Sequence, residues 1–191
     1  MRPRDENKRK LILEVATKLF KEQSFHSVRL DDVAAAAGIG KGTLYIYFKN
    51  KEDLYYSLVY DGLAEFVAVL RVQLEPTNLG FRDKIKIIIG GVVEFSVQHP
   101  QLFEVMRTVG VPDASTRWDA KRRELTQLTE DVLRQGIAAG EITDPRPDWT
   151  AVYILAMVRA VMLYRPANVE AAKLSGHIVD VVLTGIGNAN S

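Results

Sequence analysis

Apolar positions recur at helical spacing along most of the chain, and polar, glycine or proline breaks cut the rhythm into segments. In Lys8–Gln23, the residues Ile12, Val15, Ala16, Leu19 and Phe20 follow the i, i+3, i+4, i+7, i+8 spacing of one buried helix face. Ser24–Ser27 reads as a turn. Leu30–Ala37 predicts a second helix, with Asp31 and Asp32 in the first turn, where the helix dipole favours acids. Gly38 stops it. Gly40–Tyr47 predicts a short third helix, in which Leu44 pairs with Phe48 on an inward face. Asn50 is a good N-cap for a long helix from Lys51 to about Leu74, broken by Glu75-Pro76.

Phe81–Gln98 is apolar nearly all round, the pattern of a helix at a domain centre. Gly90-Gly91 in its middle costs roughly 1 kcal/mol per glycine against alanine, so the pattern predicts either a close neighbour there or room left for a ligand. Gln101–Val109 reads as a short helix, Gly110–Thr116 as a loop, and Arg117–Ala139 as a helix ended by Gly140. Asp144–Arg165 is apolar on two faces, and Asn168–Ile186 repeats the idea. Helices apolar on two faces need two partners. One is the chain's own core. The other is expected to be the same two helices of a second copy, in a C2 four-helix interface through Val152, Ala156, Ala160, Leu163, Gly176, Val179 and Leu183. A thicker single-chain core is the alternative. The fold class is therefore all-α, divided into a helix-turn-helix head over residues 1–50 and a helical ligand-binding and dimerisation body over 51–191.

Two short helices joined by a tight glycine turn, the second with a polar face, form the signature of a helix-turn-helix. Lys41 offers a point charge, Thr43 a hydroxyl and a methyl group, and Tyr45 and Tyr47 offer hydroxyls to phosphates. Gly40 and Gly42 allow close backbone approach. Lys51 is a further candidate for a phosphate. The glycines around Lys41 also resemble a phosphate-cradling loop. However, Gly42 follows the lysine where that loop requires Ser or Thr, and a helix precedes it in place of a strand.

Through Val33-Ala34, Ala37-Gly38, Lys41-Gly42-Thr43-Leu44-Tyr45, Tyr47-Phe48 and Lys51-Glu52-Asp53-Leu54, the stretch resembles the DNA-binding segment of the TetR family of bacterial transcriptional regulators. With the preceding helix, the likeness covers about the first third of the chain. Three positions depart from the family's usual pattern. Gly40 stands where a serine commonly opens the recognition helix, Arg29 where a threonine commonly caps the helix before it, and Ser24 where a turn glycine is common. Arg29 joins the candidate DNA-binding residues. The resemblance implies a homodimer on a palindromic double-stranded DNA operator, acting as a repressor and released by a small-molecule effector. Its pocket is expected among Phe66, Gly91, Phe95, Phe103, Met106, Trp118 and Tyr153, with Arg107 or Arg159 as a polar anchor.

The formal charge of the 191 residues is +1, so no global field argues for nucleic acid. The distribution leans the right way: residues 1–60 carry 11 Lys and Arg against 8 Asp and Glu. The polar start, with Arg2 and Arg4, reads as a frayed tail or as a basic arm reaching DNA. The sequence has no cysteine, which removes disulfides, Cys-zinc sites and Cys nucleophiles. No apolar run is long enough for a membrane, and no secretory leader is expected, so the cytoplasm is the expected compartment. The three histidines are scattered. No cofactor, metal or catalytic set is expected, which argues against an enzyme. The alternatives are a DNA-binding dimer without any effector and an all-helical enzyme using the same apolar cavity.

Overall fold

The head owes its shape to how its short helices begin and end. In the computed structural model, which describes residues 5–75, 78–99, 101–102, 105–106, 117–164 and 170–186, the first helix is α1 (Glu6–Glu22). It starts two residues earlier than the apolar rhythm predicts. Asp5 supplies the reason: its carboxylate accepts from the backbone N–H groups of Asn7 (3.0 Å) and Lys8 (3.4 Å). Next come α2 (Leu30–Ala36) and α3 (Lys41–Tyr47). Between them Gly38 takes φ +64°, a left-handed conformation natural to glycine. The Gly38 N–H then reaches Ala35 O (3.1 Å) and the Ile39 N–H reaches Ala34 O (3.0 Å), a Schellman closure that sets the turn.

α4 (Lys51–Leu74) begins under the Asn50 cap, whose side-chain oxygen accepts from the Asp53 N–H at 2.7 Å. Its first turns serve the head. Leu54 and Tyr55 are buried with Ile12, Ala16, Phe20, Phe25, Val28, Val33, Leu44 and Phe48. Tyr55 meets the rings of Phe20 (5.0 Å) and Phe25 (5.3 Å) edge-on. The head is thereby seated on the same helix that enters the body.

The body is built around α5 (Phe81–Gln98), which buries Ile85, Ile88, Ile89 and Val93. It packs against α4, α6 (Arg117–Ala138), α7 (Pro147–Tyr164) and α8 (Ala171–Ile186), as the all-round apolar pattern predicts. Gly140, at φ +73°, closes α6. Among the described residues the elements are these eight helices, and no helix is long and apolar enough to cross a membrane. The predicted helix Gln101–Val109 lies partly outside the described residues.

The two-faced helices divide differently from the sequence expectation. On α7, Ala151, Ile154, Val158 and Met162 face inward. Val152 (50% exposed), Tyr153 (59%) and Tyr164 (82%) face outward, and Ala156 and Ala160 are exposed with them. Leu163 is half-buried. On α8, Val179 and Leu183, expected at the dimer interface, are only 6% and 7% exposed. α8 lies along α5, so these two side chains complete the chain's own core beside Ile178 and Val182. Gly176 and Val181 are outward on α8, together with Lys173, His177, Asp180 and Thr184.

Candidate DNA interface and effector cavity

The surface of the head gathers most of the predicted DNA-facing residues. Arg29, Gly40, Lys41, Gly42 and Tyr45 are exposed, and Thr43 and Tyr47 are half-buried. Gly40 is the N-cap of α3 and brings no side-chain bond. Asp32 instead bonds the backbone N–H of Arg29 (3.2 Å), which holds the start of α2. Tyr47 is not free: its hydroxyl accepts from the Asp5 N–H at 3.2 Å, tying the end of α3 to the start of α1. Lys41 pairs with Asp31 at 2.9 Å.

Lys51 departs from its expected role. Its ammonium donates to Phe25 O (2.7 Å), Val28 O (3.1 Å) and His26 O (3.3 Å), and it lies 4.5 Å from the centre of the Phe25 ring. Three carbonyls use three protons. Lys51 holds the α1–α2 turn together instead of meeting a phosphate. Lys49, two residues earlier, went unmarked in the sequence. It is exposed, and its backbone N–H, not its ammonium, meets Asp53 (2.9 Å). Its place beside Tyr45 and Tyr47 on one groove of the head is the feature that marks it.

In the body a partly open cavity of about 230 Å³ lies among α4, α5, α6 and α7. Of the predicted pocket residues, Phe95, Met106, Trp118 and Arg159 line it. Phe66 and Gly91 do not. They pack against each other, with Phe66 stacked at 5.5 Å on the far side of Phe95. The central glycine thus answers to a close neighbour rather than to a ligand. Tyr153 stands outside, at the surface. Phe103 and Arg107 lie outside the described residues. Arg122 and Thr126 line the wall unforeseen, because Lys121-Arg122-Arg123 reads in the sequence as a solvated charge run. Val152 and Ala156, expected only at the dimer interface, also line the cavity.

The wall is apolar except at a few points. Trp118 is buried and its indole N–H has no partner among the described residues. Arg159 is half-buried and has no ion pair or hydrogen bond among the described residues. Arg122 stands 3.7 Å from Asp119. The Ser96 and Thr126 hydroxyls are turned to the carbonyls of Val92 (2.7 Å) and Arg122 (3.0 Å). Among the described residues no group of three His, Cys, Asp or Glu side chains converges as a metal site would require.

One connection joins cavity and head. Leu102 and Met106 line the cavity. The adjoining Gln101 donates its amide to Phe20 O (2.7 Å) and Gln23 O (2.9 Å), the open carbonyls at the end of α1. Beside it the His99 ring lies tilted against Phe95, 4.6 Å between centroids. Burial, and secondarily the charge of Lys21, hold its imidazole below its ordinary pKa.

Comparison with known proteins gives this arrangement its setting. Residues 12–58 match the model described as bacterial regulatory proteins, tetR family, and residues 79–186 match the tetracyclin repressor-like C-terminal domain. The chain belongs to the TetR family. It is similar to the uncharacterized HTH-type transcriptional regulator YhgD of Bacillus subtilis, at 28% identity over 82% of this chain and 83% of that protein. The fatty acid metabolism regulator protein of the same organism is 23% identical over 70% of each chain. Among solved structures, a TetR/AcrR-family regulator from Thermobifida fusca superposes with a TM-score of 0.78 at 22% identity, over 94% of this chain and 98% of that one. The regulator FadR from Bacillus subtilis, solved with stearoyl-CoA, gives 0.70 at 20% identity, over 92% and 98%. These two structures share the TetR-family fold of head and helical body.

Proposed function

We propose that the chain is a ligand-responsive repressor that binds a palindromic operator as a homodimer and is released by an anionic amphipathic effector of the acyl-thioester class. The observation that carries the effector reading is the cavity wall. It is apolar along Leu63, Phe95, Leu102 and Leu125, and it holds one arginine, Arg159, half-buried and without an ion pair among the described residues. A cation at the edge of an apolar cavity attracts an anionic group more strongly than one in open water does. A ligand with an apolar tail and an anionic head fits both features. The relative that regulates fatty acid metabolism and the stearoyl-CoA complex of a structural neighbour support the same reading.

The dimer reading rests on the outward row Val152, Tyr153, Ala156, Ala160 and Tyr164, with Gly176 and Val181 from α8. A palindromic operator needs two recognition helices about 34 Å apart. An effector releases DNA only by favouring the spacing that does not fit, so its affinity must differ between the two states. Because Val152 and Ala156 belong to both cavity and outward row, a bound effector would press on the helix that sets that spacing. The test is titration of stearoyl-CoA, and separately of CoA, into the protein–operator complex. Release by the acyl thioester and not by CoA is expected, and Arg159→Ala should weaken it. Equal indifference to both would overturn the effector class.

A further inference from the structure

The recognition helix α3 contains a single cation, Lys41, and that cation is already occupied. Its Nζ lies 2.9 Å from both carboxylate oxygens of Asp31, in the first turn of α2. The Schellman turn through Gly38 brings these two positions together, ten residues apart in the chain. Asp31 is not needed for capping, since Asp32 bonds the Arg29 N–H. Both side chains are well exposed, 58% for Asp31 and 60% for Lys41, on the face that the proposed reading assigns to DNA. The hydrogen bond that Lys41 donates to Asp31, with the charge of that carboxylate, holds the ammonium above the ordinary lysine pKa.

We infer that Asp31 is a specificity-determining residue of the DNA interface, a counterion that withholds Lys41 from DNA of the wrong sequence. The inference rests on the reading of α3 as the recognition helix. Binding to random DNA is almost entirely a matter of lysines and arginines neutralising phosphates. With Asp31 in place, α3 brings no net charge to a random backbone, and a misdocked phosphate meets a carboxylate beside the lysine. At a matching site, Thr43 and Tyr45 fix the register, and a guanine edge or a correctly placed phosphate can take Lys41 from Asp31. The pair therefore weakens wrong complexes more than right ones, which is how discrimination is gained without a new attractive contact.

The experiment uses the full chain and two probes: a pool of random-sequence duplexes, and the single duplex that the wild-type chain enriches from that pool. Asp31→Asn should bind the pool about two- to fivefold tighter, the range expected for freeing one exposed ion pair. Its salt dependence should steepen by about 0.9 in log–log slope, the value for one further phosphate contact. Affinity for the enriched duplex should change little, so the ratio between the two narrows. In a Lys41→Ala background the same Asp31→Asn change should tighten pool binding clearly less, leaving only the relief of direct repulsion between carboxylate and phosphate. Lys41→Ala alone should weaken the enriched duplex more than the pool, which reads the inference without any change in α2. Equal tightening with and without Lys41, no tightening at all, or equal weakening of both probes by Lys41→Ala would overturn it. If Lys41→Ala instead leaves binding to both probes as in the wild type, the recognition-helix reading itself fails. If Lys41→Ala weakens the enriched duplex while Asp31→Asn changes nothing, the role of Asp31 alone fails.

Discussion

The ring of Phe66 lies against the bare backbone of Gly91, so close that a Cβ on Gly91 would stand 2.8 Å from Phe66 Cε2. The same ring stacks on Phe95, and Phe95 forms part of the cavity wall. Gly91 therefore shapes the cavity from behind, through two aromatic rings. Gly91→Ala should destabilise the chain by about 1–3 kcal/mol through overpacking, less any gain in helix propensity. Phe66→Leu in the same chain should recover part of that loss. Urea denaturation of the single and double variants measures both. Additive losses would mean that the two residues are not coupled.

Lys51 gives a prediction with two readouts. Lys51→Met removes donors to three turn carbonyls, and loss of charged hydrogen bonds of this kind costs about 1.5–3 kcal/mol. Stability of the head should fall accordingly in thermal denaturation. DNA affinity, measured well below the melting transition, should stay close to wild type, because the ammonium points into the turn. A variant of unchanged stability that loses DNA affinity and salt dependence would restore Lys51 to the DNA interface.

Ala160 tests the second copy. It is exposed on α7, in the row shared with Val152 and Tyr164. Ala160→Glu should leave the helical content intact and shift the chain to monomers in sedimentation. Operator affinity should fall by about a hundredfold or more, as the second head ceases to be tethered. A stable dimer would place the interface on another face.

His99 predicts a pH dependence. Burial and, secondarily, Lys21 lower its pKa in the folded chain, so the folded state prefers neutral imidazole while the unfolded chain takes up a proton near the ordinary value of 6.5. Between the two values the unfolded state binds more protons, and stability therefore rises with pH in that window. The chain should lose stability as pH falls through about 6.5 and on toward the lowered folded value. His99→Gln should flatten the profile over that range. Urea midpoints measured across pH 5 to 8 would reveal it, and parallel profiles for the two chains would contradict it.

The head was legible in the sequence because its determinants are local. Gly38, Asn50 and the inward positions Val33, Leu44 and Phe48 each act within a few residues, and each does what its spacing predicts. What escaped reading depends on residues far apart in the chain. Lys51 reaches carbonyls more than twenty residues earlier. A two-faced helix such as α8 announces that it has two partners but not which face meets which, and so Val179 and Leu183 turned out to be internal. Gly91 signals a missing side chain, while the identity of its occupant, Phe66, needs the crossing of α4 over α5. Arg122 sits in a charge run, and only the fold turns it to the cavity.

In the proposed function, α3 reads DNA sequence for a dimer. The most direct test is selection of duplexes from a random pool by the full chain, followed by affinity and stoichiometry for the winner over a range of salt. The expected result is a palindromic winner bound by at least one dimer, much tighter than the pool, with the preference lost on Lys41→Ala. Equal, weak binding to every sequence by ligand-free refolded protein would contradict it.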